Sequence, residues 1–150
     1  MAYTEGSVQR AWELERNIVK QTRKLKTIND ISLSFAKNPL TNDVLIKDNT
    51  GAIVQGIKFL LKTQPFEIPF QPEFYCDIQS FLFEQINEIT AESIKTTIED
   101  SITANVSDVV DLRKVIVEPR ESENGYSITI IVSPIKEKET ITITEFLEVE

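Results

Sequence analysis

Residues 126–149 read YSITIIVSPIKEKETITITEFLEV. They contain two runs in which apolar and polar side chains alternate. In the first run the alternating apolar residues are Tyr126, Ile128, Ile130 and Val132. In the second run Ile141 and Ile143 alternate with Thr140, Thr142 and Thr144. A period of two in segments rich in isoleucine, valine and threonine predicts β-strands. We therefore predict strands at about 126–133 and 139–147, joined by a loop from Pro134 to Glu139.

A third strand is predicted just upstream, at about 112–118, where Leu112, Lys114 and Ile116 follow the same period. Glu-Asn-Gly at 123–125 is typical of a hairpin turn, because asparagine and glycine tolerate the backbone angles that tight turns require. Three successive strands with short connections predict a small C-terminal three-stranded sheet that is largely antiparallel.

Two amphipathic helices are predicted before the sheet. Residues 51–63 carry apolar side chains at helical spacing, at Ile53, Ile57, Leu60 and Leu61. Residues 90–104 carry a second stripe, at Ile94, Ile98 and Ile102, with Thr90 as the expected N-cap. Both stripes are expected to face the core. Helices followed by a small sheet predict an α+β fold.

The part of the chain before these helices has a different character. Turn signals at Asn38-Pro39 and Asn49-Thr50-Gly51 predict an irregular or short-strand segment. Residues 7–27 predict a mostly polar helix whose thin apolar stripe requires a packing partner. Residues 1–28 carry a net charge of +3, and the rest of the chain carries −11. We therefore divide the chain into a basic N-terminal helical arm, 1–28, and a domain, 29–150.

The charge distribution limits the possible partners. Binding to a phosphate backbone requires a cationic surface, so the acidic body argues against nucleic acid as the main partner. The arm, with Arg16 and Arg23, has the charge to contact nucleic acid, but an acidic surface of a protein neighbour is the simpler expectation. No stretch approaches the roughly 20 apolar residues that span a bilayer, and the first residues lack the features of a signal peptide. We expect no membrane partner and assembly in a cytoplasm.

Two absences limit the chemistry. The sequence has no histidine and one cysteine, Cys76, which excludes histidine-dependent nucleophilic catalysis and nearly all zinc sites. Because Glu73, Tyr75 and Asp77 surround it in sequence, Cys76 is expected to be a small buried hydrophobe and not a reactive thiol. We expect no cofactor, metal or small-molecule substrate. A pair of carboxylates, among Glu73, Asp77 and Glu84, is the one catalytic device that the composition permits.

Residues 69–84, PFQPEFYCDIQSFLFE, form the most specific pattern in the chain. This pattern resembles the signature of the baseplate wedge and sheath-initiator family of contractile phage tails, which has counterparts in type VI secretion baseplates. The residues that agree with the signature are Pro69, Phe70, Pro72, Glu73, Phe74, Cys76, Leu82, Phe83 and Glu84. Tyr75 departs from the usual glycine, and Ile68 from the usual arginine. The resemblance extends over about residues 30–133.

The resemblance implies a non-enzymatic subunit of a sixfold baseplate, held by wedge proteins in the tail of a virion. It also implies that the C-terminal sheet offers the first sheath subunits an edge on which to add strands. The family carries a Glu-Pro-Arg after its long helix that helps lock the subunit to the wedge. By spacing, that position falls near residues 106–108, so Glu118-Pro119-Arg120 is expected to be a coincidence at a strand end.

The last predicted strand supports the same role by a separate argument. An edge strand offers unpaired backbone groups on which another chain can add a strand. The partner contacts are expected at Thr140, Thr142, Thr144 and Phe146. An edge guarded by Lys138, Glu139 and Glu145 fits the pattern equally well.

The motif at 69–84 is expected to be anchored in the core through Phe74, Cys76, Ile78, Leu82 and Phe83. Three hypotheses of function follow. The leading one is a structural baseplate wedge subunit that nucleates the tail sheath. The alternatives are the corresponding subunit of a type VI secretion baseplate and a cell-wall hydrolase that uses a carboxylate pair.

Overall fold

The structure, a computed structural model, describes residues 28–135 and 139–149. The predicted helix at 7–27, with Arg16 and Arg23, and Lys138 in the predicted loop lie outside the described residues. The elements are, in chain order, strands β1 (Asn29–Ile31) and β2 (Ile46–Asp48), helix α1 (Asn49–Lys62), a 3-10 helix (Gln79–Phe83), helix α2 (Glu88–Val106), strand β3 (Val110–Arg120), a second 3-10 helix (Glu121–Glu123), and strands β4 (Gly125–Pro134) and β5 (Ile141–Glu148). The predicted α+β fold is confirmed.

The C-terminal sheet is an antiparallel meander in the order β3-β4-β5, as predicted. Because side chains alternate across a strand, one face of β4 carries residues that are buried. These are Tyr126, Ile128, Ile130 and Val132, each at most 1% exposed. Ser127, Thr129 and Ile131 lie on the opposite, half-buried face. The sheet therefore has one face in the core and one face that the described residues leave partly open.

Strand β3 contains an irregularity that reverses the predicted facing of its residues. The pairing with β4 shifts between Leu112 and Lys114, which leaves Arg113 without a registered partner. A bulge of this kind inserts one residue and changes which side chains face inward. As a result Val115 is buried and Ile116 is only half-buried. The predicted alternation of Leu112, Lys114 and Ile116 is therefore wrong beyond Leu112.

The turn between β3 and β4 follows the prediction at Glu-Asn-Gly. Asn124 adopts a left-handed conformation with φ of 50°, which asparagine tolerates better than most residues. Its backbone oxygen accepts from Val149 N at 2.8 Å, and its side-chain Nδ2 donates to Val149 O. The end of the chain is thus tied to this turn immediately after β5.

The two long helices bury their predicted stripes against the sheet. Ile94, Ile98 and Ile102 of α2 are completely buried, and so are Ile57 and Leu60 of α1. One core cluster contains these side chains and the inward residues of all three sheet strands. The facing of both helices was therefore predicted correctly from their apolar spacing.

The starts of the helices differ from the predictions. Helix α2 begins at Glu88, and its N-cap is Asn87, whose Oδ1 accepts from Thr90 N at 2.8 Å. Thr90 is therefore the third helical residue and is buried, and its predicted capping role is wrong. Asn49-Thr50-Gly51, predicted as a turn, forms the first turn of α1.

Strands β1 and β2 form a short antiparallel hairpin, which fits the predicted irregular segment. It is attached to α1 by Gln55, a buried side chain. Gln55 Nε2 donates to Asp30 Oδ2 and to Ile31 O, both at 2.7 Å, and its Oε1 accepts from Leu33 N at 3.1 Å. One side chain therefore makes three hydrogen bonds to the hairpin.

Candidate docking surfaces

Strand β5 forms one edge of the sheet. It pairs with β4 alone, and within the described part of the chain no strand lies on its other side. Ile141 and Ile143 are buried, whereas Thr142, Thr144 and Phe146 are exposed. The structure therefore brings three of the four predicted contact residues to one face of this edge strand.

The fourth predicted contact residue, Thr140, is exposed but precedes β5. Of the charged residues that were predicted to guard the edge, Glu145 forms an ion pair with Lys58 of α1, with 2.6 Å between Oε1 and Nζ. This pair joins the edge strand to a helix and leaves Glu139 as an exposed acidic residue at the strand's entrance.

The motif at 69–84 divides into a buried and an exposed part. Cys76 and Ile78 belong to the core, with Phe74 packed against it and its ring centroid 6.1 Å from that of Phe59. The exposed motif residues are Pro69, Phe70, Pro72, Glu73, Phe83 and Glu84. The anchoring role predicted for Phe74 and Cys76 is therefore confirmed.

Phe83 does not have the predicted core position. The segment after Ile78 forms a 3-10 helix, which has three residues per turn. In this geometry Phe81 packs against the core cluster, Leu82 is half-buried and Phe83 is 89% exposed. The prediction that Phe83 anchors the core is wrong, and the predicted anchoring by Leu82 is only partial.

Two phenylalanines of the connection between α1 and the 3-10 helix combine exposure with backbone strain. Phe66 and Phe70 have φ values of 64° and 69°, in the left-handed region that bulky residues rarely adopt. Both side chains project into solvent; Phe70 is fully exposed. Strained backbone is frequent at functional sites, and exposed aromatic side chains are favoured anchors in interfaces.

A groove of about 570 Å³ runs between the motif and helix α2. Its walls include Glu73, Tyr75 and Asp77 from the motif and Thr97, Asp100 and Ser101 from α2, together with Ala104 and Asn105. We call this the acidic groove, because three carboxylates and no basic side chain line it. Residues of both walls, among them Glu73 and Asp100, are exposed, so the groove is open to solvent.

The chemistry of the motif agrees with a docking surface. Cys76 is 1% exposed, and burial raises the pKa of its thiol, outweighing the lowering effect of a hydrogen bond with Ser101. Glu73 and Glu84 are exposed carboxylates.

Among residues 28–135 and 139–149, no group of three or more metal-ligating side chains is present. Within the same residues, no helix is long and apolar enough to cross a membrane.

Glu118-Pro119-Arg120 lies at the end of β3, as expected from its spacing. Arg120 Nη2 and Glu118 Oε2 are 3.1 Å apart, and both side chains are about half exposed. Such a surface pair contributes little to stability. Pro119 lies opposite Tyr126 at a sheet edge, where a missing N–H is tolerated.

Three features of these surfaces were not predicted. Gln55 holds the β1–β2 hairpin, but a lone glutamine in a helical stripe gives no signal of its partners. The acidic groove is formed by two segments that are at least 20 positions apart, so no local pattern reveals it. Asn87 could have been found, because an asparagine just before an acidic first turn is a typical N-cap signal.

Comparison with known proteins gives a related sequence and several related folds. The chain is 34% identical over 81 residues to the baseplate wedge protein gp25 of Enterobacteria phage T4. The match includes 47% of this chain, and the chain spans 61% of the length of that relative. No protein-family model matches the chain. The predicted resemblance of this chain to baseplate wedge proteins of contractile tails is confirmed by this relative.

The fold is similar to those of several solved structures, two of which follow. One is a Geobacter sulfurreducens protein provisionally named a tail lysozyme, with a TM-score of 0.59 and 22% identity, covering 65% of this chain and 88% of that protein. The other is a chain of the sixfold-symmetrised baseplate of the anti-feeding prophage, with a TM-score of 0.58 and 19% identity, covering 85% of this chain and 90% of that chain.

Proposed function

We propose that this chain is a structural subunit of the baseplate of a contractile phage tail, where it acts as a wedge component. The observation that carries the proposal is its sequence similarity to a phage baseplate wedge protein, and the resemblance of residues 69–84 to the family signature agrees with it. The similar fold of an anti-feeding prophage baseplate chain supports it. The subunit would belong to the virion tail, assembled in the host cytoplasm with other wedge proteins in a sixfold arrangement.

The finer part of the proposal is that β5 helps nucleate the tail sheath. A strand at a sheet edge can accept a further strand through its backbone groups, and alternate side chains then select the partner. Thr142, Thr144 and Phe146 are the side chains that face outward along this edge. The first sheath subunits would therefore add a strand beside these residues, with Thr140 at the entrance.

The proposal that β5 accepts a sheath strand is better tested by substituting charged side chains on β5 than by deleting the strand. Removing residues 139–150 would also remove the buried Ile141 and Ile143, so the fold itself would be lost. The double variant Thr142→Lys/Thr144→Lys changes only exposed side chains and places charges on the edge, which opposes strand addition. We expect baseplates that assemble normally and sheaths that fail to start, as seen by electron microscopy of tails.

The control for this experiment is Thr103→Lys, at an exposed threonine of α2 away from the edge. It should leave sheath formation unchanged. Sheaths that start at the normal frequency on the double variant would contradict the strand proposal. They would not contradict the wedge assignment, which is tested by whether baseplates form at all without this protein.

The arm and the motif provide the remaining proposed contacts. Arg16 and Arg23 would bind an acidic protein surface, since oppositely charged surfaces steer and orient association. The exposed motif residues, with Phe70 and Phe83 as aromatic anchors, would dock other wedge proteins. A type VI secretion baseplate would use the same subunit contacts, and the genes adjacent to the coding sequence would distinguish the two systems.

A second candidate function is a cell-wall hydrolase, favoured only by the name of one similar structure. Glu73, Asp77 and Asp100 share the acidic groove, but a general acid needs an apolar pocket that keeps it protonated, and Glu73 is exposed. We propose that the protein is not an enzyme. Lysis of peptidoglycan by the purified protein, lost in Glu73→Gln, would overturn this.

A further inference from the structure

The acidic groove has the charge of a receptor for a basic helix and small side chains along one wall. On its α2 side, Thr97, Ser101 and Ala104 present small side chains at successive turns, and small contact residues let a second helix approach closely. Glu73, Asp77 and Asp100 supply negative charge along the walls. Tyr75 adds an aromatic surface suited to a cationic or aromatic side chain.

The charge of the groove extends over the neighbouring sequence. Between Lys62 and Lys95 the chain carries six acidic side chains and no basic one. By contrast, residues 1–28 carry six basic side chains and three acidic ones. The basic arm, residues 1–28, is thus complementary in charge to residues 63–94, which carry acidic side chains and no basic one.

The length of the arm matches the distance to the groove. Ile28 lies at the start of α1, because its O accepts from Asn49 N at 2.7 Å. The groove lies near the other end of α1, because Cys76 N donates to Thr63 O at 3.1 Å. Helix α1 has 14 residues, and at about 1.5 Å per residue it spans roughly 21 Å.

A helix at 7–27, as its sequence predicts, would be about 30 Å long and would therefore reach the groove. If this helix ran back beside α1 from residue 27, the 14 residues that match the length of α1 would end near residue 13. Residues 12–16 would then lie at the level of the groove. This part of the arm contains Trp12 and Arg16, which are four positions apart and share a helix face. Trp12 offers a large apolar anchor, and Arg16 a cation for the carboxylates.

We propose that the arm of this chain folds back along α1 and places Trp12 and Arg16 in the acidic groove of the same molecule. This inference differs from the expected contact with a protein neighbour, because the acidic surface that the arm binds belongs to the same chain. It depends on the arm's charge and reach alone, so its failure and failure of the wedge assignment are separate outcomes.

The test uses Trp12 as a built-in probe, since it is the only tryptophan in the chain. In the full-length protein we expect a Trp12 emission typical of a shielded indole and weak quenching by acrylamide. Asp100→Lys, an exposed position on α2, should shift the emission to longer wavelength and increase quenching severalfold. Raising the salt from about 0.1 to about 1 M, which shortens the Debye length from about 10 to about 3 Å, should act in the same direction.

The matched control is Glu121→Lys, which makes the same charge change at an exposed residue of the β3–β4 connection. It should leave the emission and the quenching as in the unmodified protein. Arg16→Glu should behave like Asp100→Lys, and the double variant Arg16→Glu/Asp100→Lys should recover shielding at least in part. Circular dichroism of each variant confirms that the domain remains folded.

Several results would overturn the proposal. One is an equal response of Trp12 to Asp100→Lys and Glu121→Lys. A second is shielding that appears only at concentrations where the protein self-associates, which would assign the groove to the arm of another copy. A third is shielding that survives Asp100→Lys but is lost in Leu33→Ser, which would place the arm on the β1–β2 hairpin.

Discussion

Cys76 is protected by the fold. Burial, the largest effect on this group, raises the pKa of the thiol above its ordinary value of 9.0. We therefore predict that a thiol reagent labels the native protein only as fast as the protein opens.

The raised pKa of Cys76 also makes the stability of the protein depend on pH. The contribution of the neutral thiol to the free energy of unfolding is fully present below pH 9 and is lost as the pH rises through the pKa of the native protein. Labelling kinetics and urea titrations between pH 7 and 10 measure both effects.

A matched variant makes the labelling result interpretable. In Cys76→Ala/Ser80→Cys the single thiol moves to an exposed position four residues away, where it should react at once. Rapid labelling of native Cys76, at a rate comparable to that of the exposed thiol, would contradict its assignment as a packing residue.

Gly125 is required by a close approach of strand β5. A Cβ at this position would clash with Leu147 O and would lie 2.6 Å from Phe146 Cζ. Backbone cannot yield as a side chain can, so we predict that Gly125→Ala destabilises the protein by about 1–3 kcal/mol, the usual cost of overpacking. Urea unfolding followed by circular dichroism measures the change.

Gly56 provides the control for this prediction. It lies within α1 and would meet nothing within 4 Å on gaining a Cβ. Gly56→Ala should therefore stabilise the protein by about 0.4–1 kcal/mol, chiefly by restricting the unfolded chain. Equal changes in the free energy of unfolding for the two substitutions would show that β5 lies farther from Gly125 than the structure indicates.

At the scale of elements, Gln55 determines whether the β1–β2 hairpin stays attached to the domain. In Gln55→Leu, Ile31 O and Leu33 N lose their side-chain partners, at a cost of about 1–3 kcal/mol for polar groups left unpaired. We predict that backbone amides of residues 29–48 exchange faster in this variant, while those of α2 keep their protection. Hydrogen exchange with mass spectrometry measures both regions.

Gln79→Leu is a suitable comparison, because this glutamine is in a 3-10 helix and its side-chain oxygen accepts from Gln64, which lies outside the hairpin. It should leave exchange in the hairpin unchanged. Unaltered hairpin exchange in Gln55→Leu as well would contradict the attachment by this side chain.

The elements show how far periodicity alone predicts a fold. The stripe of Ile94, Ile98 and Ile102 correctly predicted the buried face of α2, because burial repeats with the helix period. Thr90 was wrongly predicted as the N-cap because capping depends on backbone angles that Asn87 adopts. Ile116 was misplaced because a bulge depends on the partner strand, which no pattern within one strand reveals.

The docking surfaces were predicted less completely than the fold. Thr142 and Thr144 face outward because strand alternation is a local property. Phe83 was placed in the core because its apolar character was taken as burial, yet exposed aromatic residues are frequent where proteins meet. The acidic groove combines residues from two elements, so it exists only after tertiary packing.

At the scale of the whole molecule, stability should be uneven. The core cluster joins α1, α2 and the sheet, whereas the hairpin exposes most of its large apolar side chains and depends on Gln55. We predict that amides of α2 and β4 exchange slowest and those of residues 29–48 fastest among the described elements, since regions with few buried contacts open first. Exchange over minutes to days at neutral pH measures this order. Uniform protection would contradict it.

The antiparallel pairing of β5 also has a mechanical consequence. Eight registered residue pairs join β5 to β4, and Asn124 holds Val149 at the far end. A pull on the C-terminal end along the strand axis loads all of these pairs in shear, so they must break almost together. A pull across the sheet would open them one at a time. The edge strand is therefore strong along its own axis and weak perpendicular to it.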